Sequence, residues 1–423
     1  MTTVVSVTPS EEMPPVTVPA SASAEATSGY SVRTLRTMEE FDEVCAAWDP
    51  APDDPDSDPR VNMAIVRSRP EFIRPHVIVV YSGGSPCSML LGRIEQTGMN
   101  LGFWRLQIRV RATHLAIESR GPRGSQSEDV CRLLMREVCQ APNREGIDFI
   151  NLGFVAVDSP LYALALTFPG MMSRDLFVET RFGYARTLPA TSDAFYSSLR
   201  KKRRRELKRE LRLLQEAFPG SVEVVAVSKD TEIGLALDQV ERVARMTHLR
   251  ARSRGFEDTP AVRGEMRLLA AEEWLRIYLL RIAGAPVAYW VFTRYRGKLR
   301  GIYTGYDPSY ERFSPGMCLL LSIIQNLCDG KGERATLIDF GWGAYQYKEV
   351  LSDRRYCEGN PHIFSLTLRG QLIRILKALP LSLKSFAKWA LQRIGMLRKF
   401  ERMLRDAARN RIGNRGAETS CSQ

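Results

Sequence analysis

The stretch YTGYDPSYERFSPGMCLLLSIIQNL, residues 303–327, carries a β-rich run through a turn into an apolar helix, and its reading decides the fold of the second half of the chain. Asp307-Pro308 is a turn signal. Ser314-Pro315-Gly316 then reads as a helix cap, a first helical position and a second position with no side chain. The helix they open is expected over 315–328. Free backbone N–H groups at such a start can hold phosphate, and Gly316 lets a ligand approach closely. A pyrophosphate-bearing ligand fits this pattern, and so does a helix that is simply well capped.

Working outward, the spacing of apolar residues predicts a helix over 231–249, strands over 276–282, 287–294 and 299–306 with a turn at 283–286, the strand TLIDFGW, a short helix over 345–351 and the strand HIFSLTL. The first half runs in a similar order. A helix is expected over 37–48, with Thr37 as cap. HVIVVY and CSMLLGRI flank the glycines at 83 and 84 and read as a hairpin. Strands follow over 106–110 and 114–117, then a helix over 128–139, the strand IDFINLGF, a helix after 158–160 and a strand over 176–186. IDFINLG in one half echoes LIDFGWG in the other. Self-similarity over this length predicts a duplicated α/β domain, with a tail over 1–30, domains over 31–190 and 191–369, and a basic tail over 370–423. TSDAFYSSLRKKRRRELKRELRLLQEAF, residues 191–218, is expected to bridge the halves as an amphipathic helix.

A chain of 423 residues with 26% charged and 44% hydrophobic residues has the balance of a soluble globular protein of two domains. Its net charge of +12 is concentrated in 200–212 and 369–415, which makes anionic partners the natural ones. Eight cysteines occur without a CxxC pair, so neither a zinc site nor a secreted disulfide framework is expected. Residues 1–29 hold no Lys or Arg and no apolar run, unlike a signal peptide, and read as a disordered tail. No window reaches the roughly 20 apolar residues of a spanning helix. The expected location is the cytoplasm. The five aspartates of DPAPDDPDSDPR do not have EF-hand spacing, and no metal is expected.

The run from about Phe195 to Leu368 resembles the CelD-like acetyltransferases of the GNAT superfamily, which are associated with cellulose and exopolysaccharide biosynthesis. The matching pieces are LRKKRRRELKRELRLL, THLRAR, the strand pair around GAPVAYWVF, YDPSYERFSPGMCLL and DFGWGAYQYK, in the family's order. The resemblance implies tandem GNAT-like domains, each a mixed central sheet flanked by helices. It also implies a donor, acetyl-CoA or another acyl-CoA, lying against splayed central strands with its pyrophosphate at Arg312, Ser314, Pro315, Gly316 and Met317. The usual GNAT phosphate loop, with its Gln or Arg and two spaced glycines, is reduced here to Arg312-Phe313-Ser314-Pro315-Gly316. In the first domain Gly121-Pro122-Arg123-Gly124 is only loosely like such a loop. That domain is expected to shape the acceptor cleft.

Acyl transfer from a thioester needs a neutral nucleophile, donors for the developing oxyanion and a proton for the leaving thiolate. Asp339, at a strand end where α/β sheets place ligands, or Asp307 is the expected base or amine holder, although each aspartate also suits a cap or turn. Tyr347 and Lys348 follow the flexible Gly341-Trp342-Gly343. The resemblance gives such a tyrosine the thiolate's proton; the other reading is an aromatic packed beneath the loop. His248, Arg252, Arg203 and Tyr345 are candidates for holding the acceptor. Arg203 falls in the apolar row of Phe195, Leu199, Leu207, Leu211, Leu214 and Phe218, so it must snorkel or meet an internal anion. Cys318 and Cys328 follow the apolar rhythm of a helix and read as core.

The acceptor class is a sugar, a polysaccharide precursor or a small metabolite. A rival on the same tandem fold is a Fem-type aminoacyl transferase using charged tRNA, which the basic helix suits but which lacks here its long coiled-coil insertion. A third reading is a non-catalytic RNA-binding or membrane-surface protein. No nucleic-acid module is recognisable, so a nucleic-acid partner is not expected. The basic amphipathic segment after Arg369 would lie on an anionic membrane surface at the inner membrane face, or on the protein's own core.

Overall fold

The computed structural model describes residues 29–48, 58–59, 62–63, 69, 71–103, 106–117, 120–247, 250, 255–330, 334–343 and 345–379, with backbone alone at 99–103 and 106–108. Residues 1–28 of the tail expected over 1–30, the aspartate-rich stretch at 49–57 and residues 380–423 of the basic tail expected over 370–423 lie outside these residues, as do His248 and Arg252.

The first half contains β1 (Tyr30–Leu35), α1 (Met38–Ala47), β2 (Phe72–Pro75), β3 (Val77–Ser82), β4 (Ser85–Leu90), β5 (Arg93–Phe103), β6 (Leu106–Ile117), β7 (Arg123–Gly124), α2 (Glu128–Glu145), β8 (Phe149–Leu152), β9 (Val155–Ala156), α3 (Pro160–Thr167) and β10 (Glu179–Thr187). Thr37 caps α1 as its sequence predicts, in a capping box with Glu40. Two expectations change. The strands foreseen at 106–110 and 114–117 are one strand, because the alternation continues through 111–113 while β5 pairs along its whole length. Helix α2 runs on to Glu145, carrying Pro142 buried inside it.

The second half contains α4 (Ser192–Ser198), α5 (Lys201–Ala217), β11 (Val222–Val227), α6 (Asp230–Met246), α7 (Pro260–Ala271), β12 (Leu275–Ile282), β13 (Ala285–Tyr295), β14 (Lys298–Tyr306), a 3-10 turn (Pro308–Phe313), α8 (Pro315–Cys328), β15 (Leu337–Trp342), α9 (Gln346–Leu351), β16 (Arg354–Asn360) and β17 (His362–Phe364). The bridging helix is two helices, since Leu199 and Arg200 both take extended ψ values, 150° and 137°. The foreseen apolar row still packs: Phe195, Leu199, Leu207 and Leu214 are buried against α8. Helix α8 is apolar on nearly every side and largely enclosed, with Leu319, Leu321, Ile323 and Ile324 at 0% exposure. Each such side chain contributes about 1.5–3 kcal/mol by leaving water, which makes α8 the anchor of this half.

The fold is α/β, with tandem GNAT-like halves. The duplication shows in the one kind of parallel step each half makes: β6 to β8 across α2, and β14 to β15 across α8. The sequence echo falls on β8 and β15, the two equivalent strands. Each half also gives its closing strand to the other. In the eight-stranded sheet, ordered β11-β12-β13-β14-β15-β10-β16-β9, β10 lies between β15 and β16, while β17 joins β8 at the edge of the five-stranded sheet β17-β8-β6-β5-β2. A division of the chain near residue 190 is therefore not a division between sheets.

Candidate active site

Strands β14 and β15 pair only at their beginnings, Lys298 to Arg300 against Leu337 to Asp339. Beyond Arg300 and Asp339 they part, while β14 stays paired to β13 up to Tyr306 through a register shift. The fork opens a cavity of about 1130 Å³. Glycines face each other where it begins: a side chain on Gly341 would approach the Gly301 carbonyl at 3.3 Å. Gly341 has φ +71°, which favours glycine. In the first half the matching strands stay paired to their ends, Ile117 against Leu152, and Gly153 N–H adds a further bond to the Ile117 carbonyl at 2.7 Å. Among the described residues no equivalent fork forms there.

One end of the cavity is the start of α8, lined by Ser314, Gly316 and Met317. The helix begins at Pro315 as its sequence predicts, but Ser314 does not cap it through its side chain. This residue ends the 3-10 turn in the left-handed region, φ 50°, and its carbonyl accepts from Met317 and Cys318 instead. Proline has no N–H, so the amide left for an anion in this first turn is that of Gly316. The Gly316 carbonyl accepts from Trp290 Nε1 at 3.3 Å, which ties the helix start to β13. Pro315 is buried below the opening, and Arg312 lies over the Phe313 ring at 4.5 Å, outside the lining. Asp307 is a turn residue: its carboxylate accepts from the backbone and hydroxyl of Ser309 at 2.9 and 2.7 Å.

The other end is formed by Tyr345, Tyr347 and Lys348 at the start of α9. Tyr347 stands edge-on to Trp290 and Phe340, each at 6.4 Å, and burial raises its phenol above the ordinary range. It thus both packs beneath the loop and faces the cavity. The Lys348 ammonium donates to the Trp342 carbonyl at 2.6 Å. Its burial lowers it from 10.5 to about 8, against the opposing pull of the Asp339 charge.

Asp339 is buried at 8% exposure and does not line the cavity. One carboxylate oxygen accepts from Gly341 N–H at 2.8 Å, and the Tyr356 hydroxyl stands 2.9 and 2.7 Å from the two oxygens. The aspartate therefore holds the turn from which Trp342, Tyr347 and Lys348 are hung.

Residues 201–349 match the family model described as an acetyltransferase (GNAT) domain. This part of the chain is a GNAT-type acyltransferase domain. The whole chain is similar in fold to FemX, at 12% identity and a TM-score of 0.55, covering 81% of this chain and 100% of that one. A tandem GNAT protein from the clavulanic acid biosynthesis pathway is also similar, at 12% identity and a TM-score of 0.46, covering 80% and 99%. None of the curated proteins matches the chain significantly.

Within the acyltransferase domain, Arg203 stands apart from the cavity. Its guanidinium meets Glu206 at 3.3 Å and Glu210 at 3.8 Å, so the internal anion its position demanded comes from its own helix. Cys318 and Cys328 are buried in α8, where burial pushes their thiols up to about 12 and about 11, the opposite of an activated nucleophile. Among the described residues no group of three or more His, Cys, Asp or Glu is placed to hold a metal.

Five site residues escaped sequence reading. Tyr356 comes from β16, a strand not foreseen. Arg300 lines the cavity at the fork and sits 4.9 Å from the Trp342 ring. Glu358 accepts from Trp342 Nε1 at 2.6 Å and pairs with Arg120 of the first half at 3.3 Å. Phe154, also of the first half, stacks on Trp342 at 4.4 Å. One signal was available: Gly183, a glycine inside an otherwise ordinary strand, marks a close approach.

Proposed function

We propose that the chain is an acyl-CoA-dependent N- or O-acyltransferase, with acetyl the expected group and a sugar, polysaccharide precursor or small metabolite as acceptor. The observation that carries this reading is the β14–β15 fork, whose cavity runs from the Gly316 amide to Lys348 and Tyr347. Its volume and its glycine-lined entrance fit an extended thioester donor, with the Gly316 amide meeting an anionic group at the helix start. A bound acyl-CoA supplies an electrophilic thioester carbonyl; the remaining chemistry comes from the protein.

Lys348, poised near neutrality, would take the proton of the attacking amine or hydroxyl as the new N–C or O–C bond forms. Tyr347, protonated throughout the physiological range, would give its proton to the departing sulfur as the C–S bond breaks, and the proton held by Lys348 can restore it. Asp339 would act as a positioning residue. The aromatic walls, Trp290, Tyr303, Tyr306 and Tyr345 among them, suit the apolar face of a sugar ring. The chemistry is assigned to residues 191–369. Residues 31–190 buttress the acceptor side through Arg120 and Phe154, and the cytoplasm is the proposed location. The CelD-like family is the subfamily this reading favours.

Calorimetric titration with acetyl-CoA, then with longer acyl-CoAs, tests the donor; no heat with any of them overturns the reading. The similarity in fold to FemX supports a second reading, a Fem-type aminoacyl transferase. Assaying transfer from radiolabelled acetyl-CoA against labelled aminoacyl-tRNA separates the two.

A further inference from the structure

Among the described residues, four exposed large apolar side chains line one face of a single helix. The helix at 368–379 presents Leu368, Leu372, Ile375 and Leu379 to solvent, at 93%, 53%, 51% and 46% exposure. Their spacing, i, i+4, i+7 and i+11, makes a single stripe along the helix. The opposite side of the same helix is the one that packs on the protein, with Ile373 at 1% exposure in a cluster with Phe149 and Phe364. Against another side of the helix lies the loop around Met171 and Met172, at 77% and 55% exposure. Side chains from the helix bind this loop: Arg374 donates to the carbonyls of Met171 and Arg174 at 3.0 and 2.8 Å, Gln371 to that of Met172 at 3.1 Å, and Lys377 to the Asp175 carboxylate at 2.5 Å. Loop and helix are thus tied together, each with apolar side chains exposed.

We infer that this face docks on an anionic phospholipid surface. Charge complementarity selects that occupant. Arg369 stands at the edge of the stripe, and the chain that continues from it, residues 380–423, carries ten Lys or Arg against three Asp or Glu. An apolar stripe with a surplus of cations alongside and beyond it is the pattern of a helix that lies in the plane of an interface, apolar groups among acyl chains and cations at the headgroups. No helix of the described residues is long and apolar enough to cross a membrane. The inference does not depend on the acyl-transfer reading.

Co-sedimentation of the full chain with vesicles tests it, phosphatidylcholine with phosphatidylglycerol being compared with phosphatidylcholine alone. Binding is expected only to the anionic vesicles and is expected to weaken as salt rises. Leu368→Asp with Met171→Asp should weaken it about tenfold or more, the loss expected for withdrawing a buried Leu-sized group from the lipid. The circular dichroism spectrum and melting temperature should be unchanged, because both sites are exposed. Failure of the native chain to bind anionic vesicles overturns the inference, as does equal binding by the double variant. If a second copy covers the stripe, sedimentation would show a dimer that Leu372→Asp dissociates. If residues 380–423 cover it, the monomer would leave vesicles unbound and Leu368→Asp would lower its melting temperature. Either result also overturns it.

Discussion

The Tyr356 hydroxyl stands 2.9 and 2.7 Å from the two carboxylate oxygens of Asp339, although the two residues belong to strands that β10 separates. The phenol crosses β10 at Gly183, its direct partner in register, where a Cβ would stand 2.1 Å from Cζ of the tyrosine. A strand given by the first half thus carries the gap through which the second half organises its cavity.

Tyr356→Phe keeps the ring and removes the donor, leaving a buried carboxylate with one bond fewer. Stability to urea should fall by about 1–3 kcal/mol. If Asp339 positions the loop of Lys348, kcat should fall while KM for the acyl donor stays near its native value. A change in KM alone would contradict the positioning role.

Gly183→Ala should cost about 1–3 kcal/mol through overpacking against Tyr356. In a Tyr356→Ala background most of that cost should vanish. Urea denaturation of the four proteins in this cycle checks it, and an undiminished cost would mean that the glycine serves its own backbone instead.

The depressed Lys348 ammonium predicts two pH effects. If Lys348 is the base, kcat/KM should rise with pH and level off above about 8; Lys348→Arg, always cationic, should lose this limb. Stability carries the opposite bookkeeping of protons. Between about 8 and 10.5 the unfolded chain binds more protons than the folded one, so stability increases with pH across that window and is lowest below it. Thermal melts as a function of pH should show the rise, and Lys348→Met should remove it.

Gly316→Asp places a carboxylate at the helix start where the donor's phosphates are proposed to sit. The dissociation constant for acetyl-CoA should rise at least about tenfold, ~1.4 kcal/mol, with the melting temperature unchanged. Unaltered affinity by calorimetry would remove this helix start from the donor site.

Much of the fold was legible because its signals are local. Pro315 with the apolar run behind it marks α8 to the residue, and the Gly83-Gly84 turn marks the β3–β4 hairpin. The residues of the candidate cavity were legible in part: Gly316, Met317, Tyr345, Tyr347 and Lys348 line it. Ser314 lines it without capping, because the 3-10 turn before it forces a left-handed backbone that a cap pattern does not reveal. Strand β16 was missed because RRYCEGN lacks apolar alternation; it is a strand because β10 pairs with it from residue 179 to 185.

The sequence by itself determined most of the helices, the hairpins and the duplicated order of elements. Those depend on periodicity, caps and turns, which act over a few residues. Only the tertiary structure decided that β10 and β17 change places between sheets, that β14 and β15 part after Arg300 and Asp339, and that Asp339 faces Tyr356 rather than the cavity. These outcomes are pairings across tens to hundreds of residues, chosen by packing and register, and no local pattern encodes which strand will lie beside which.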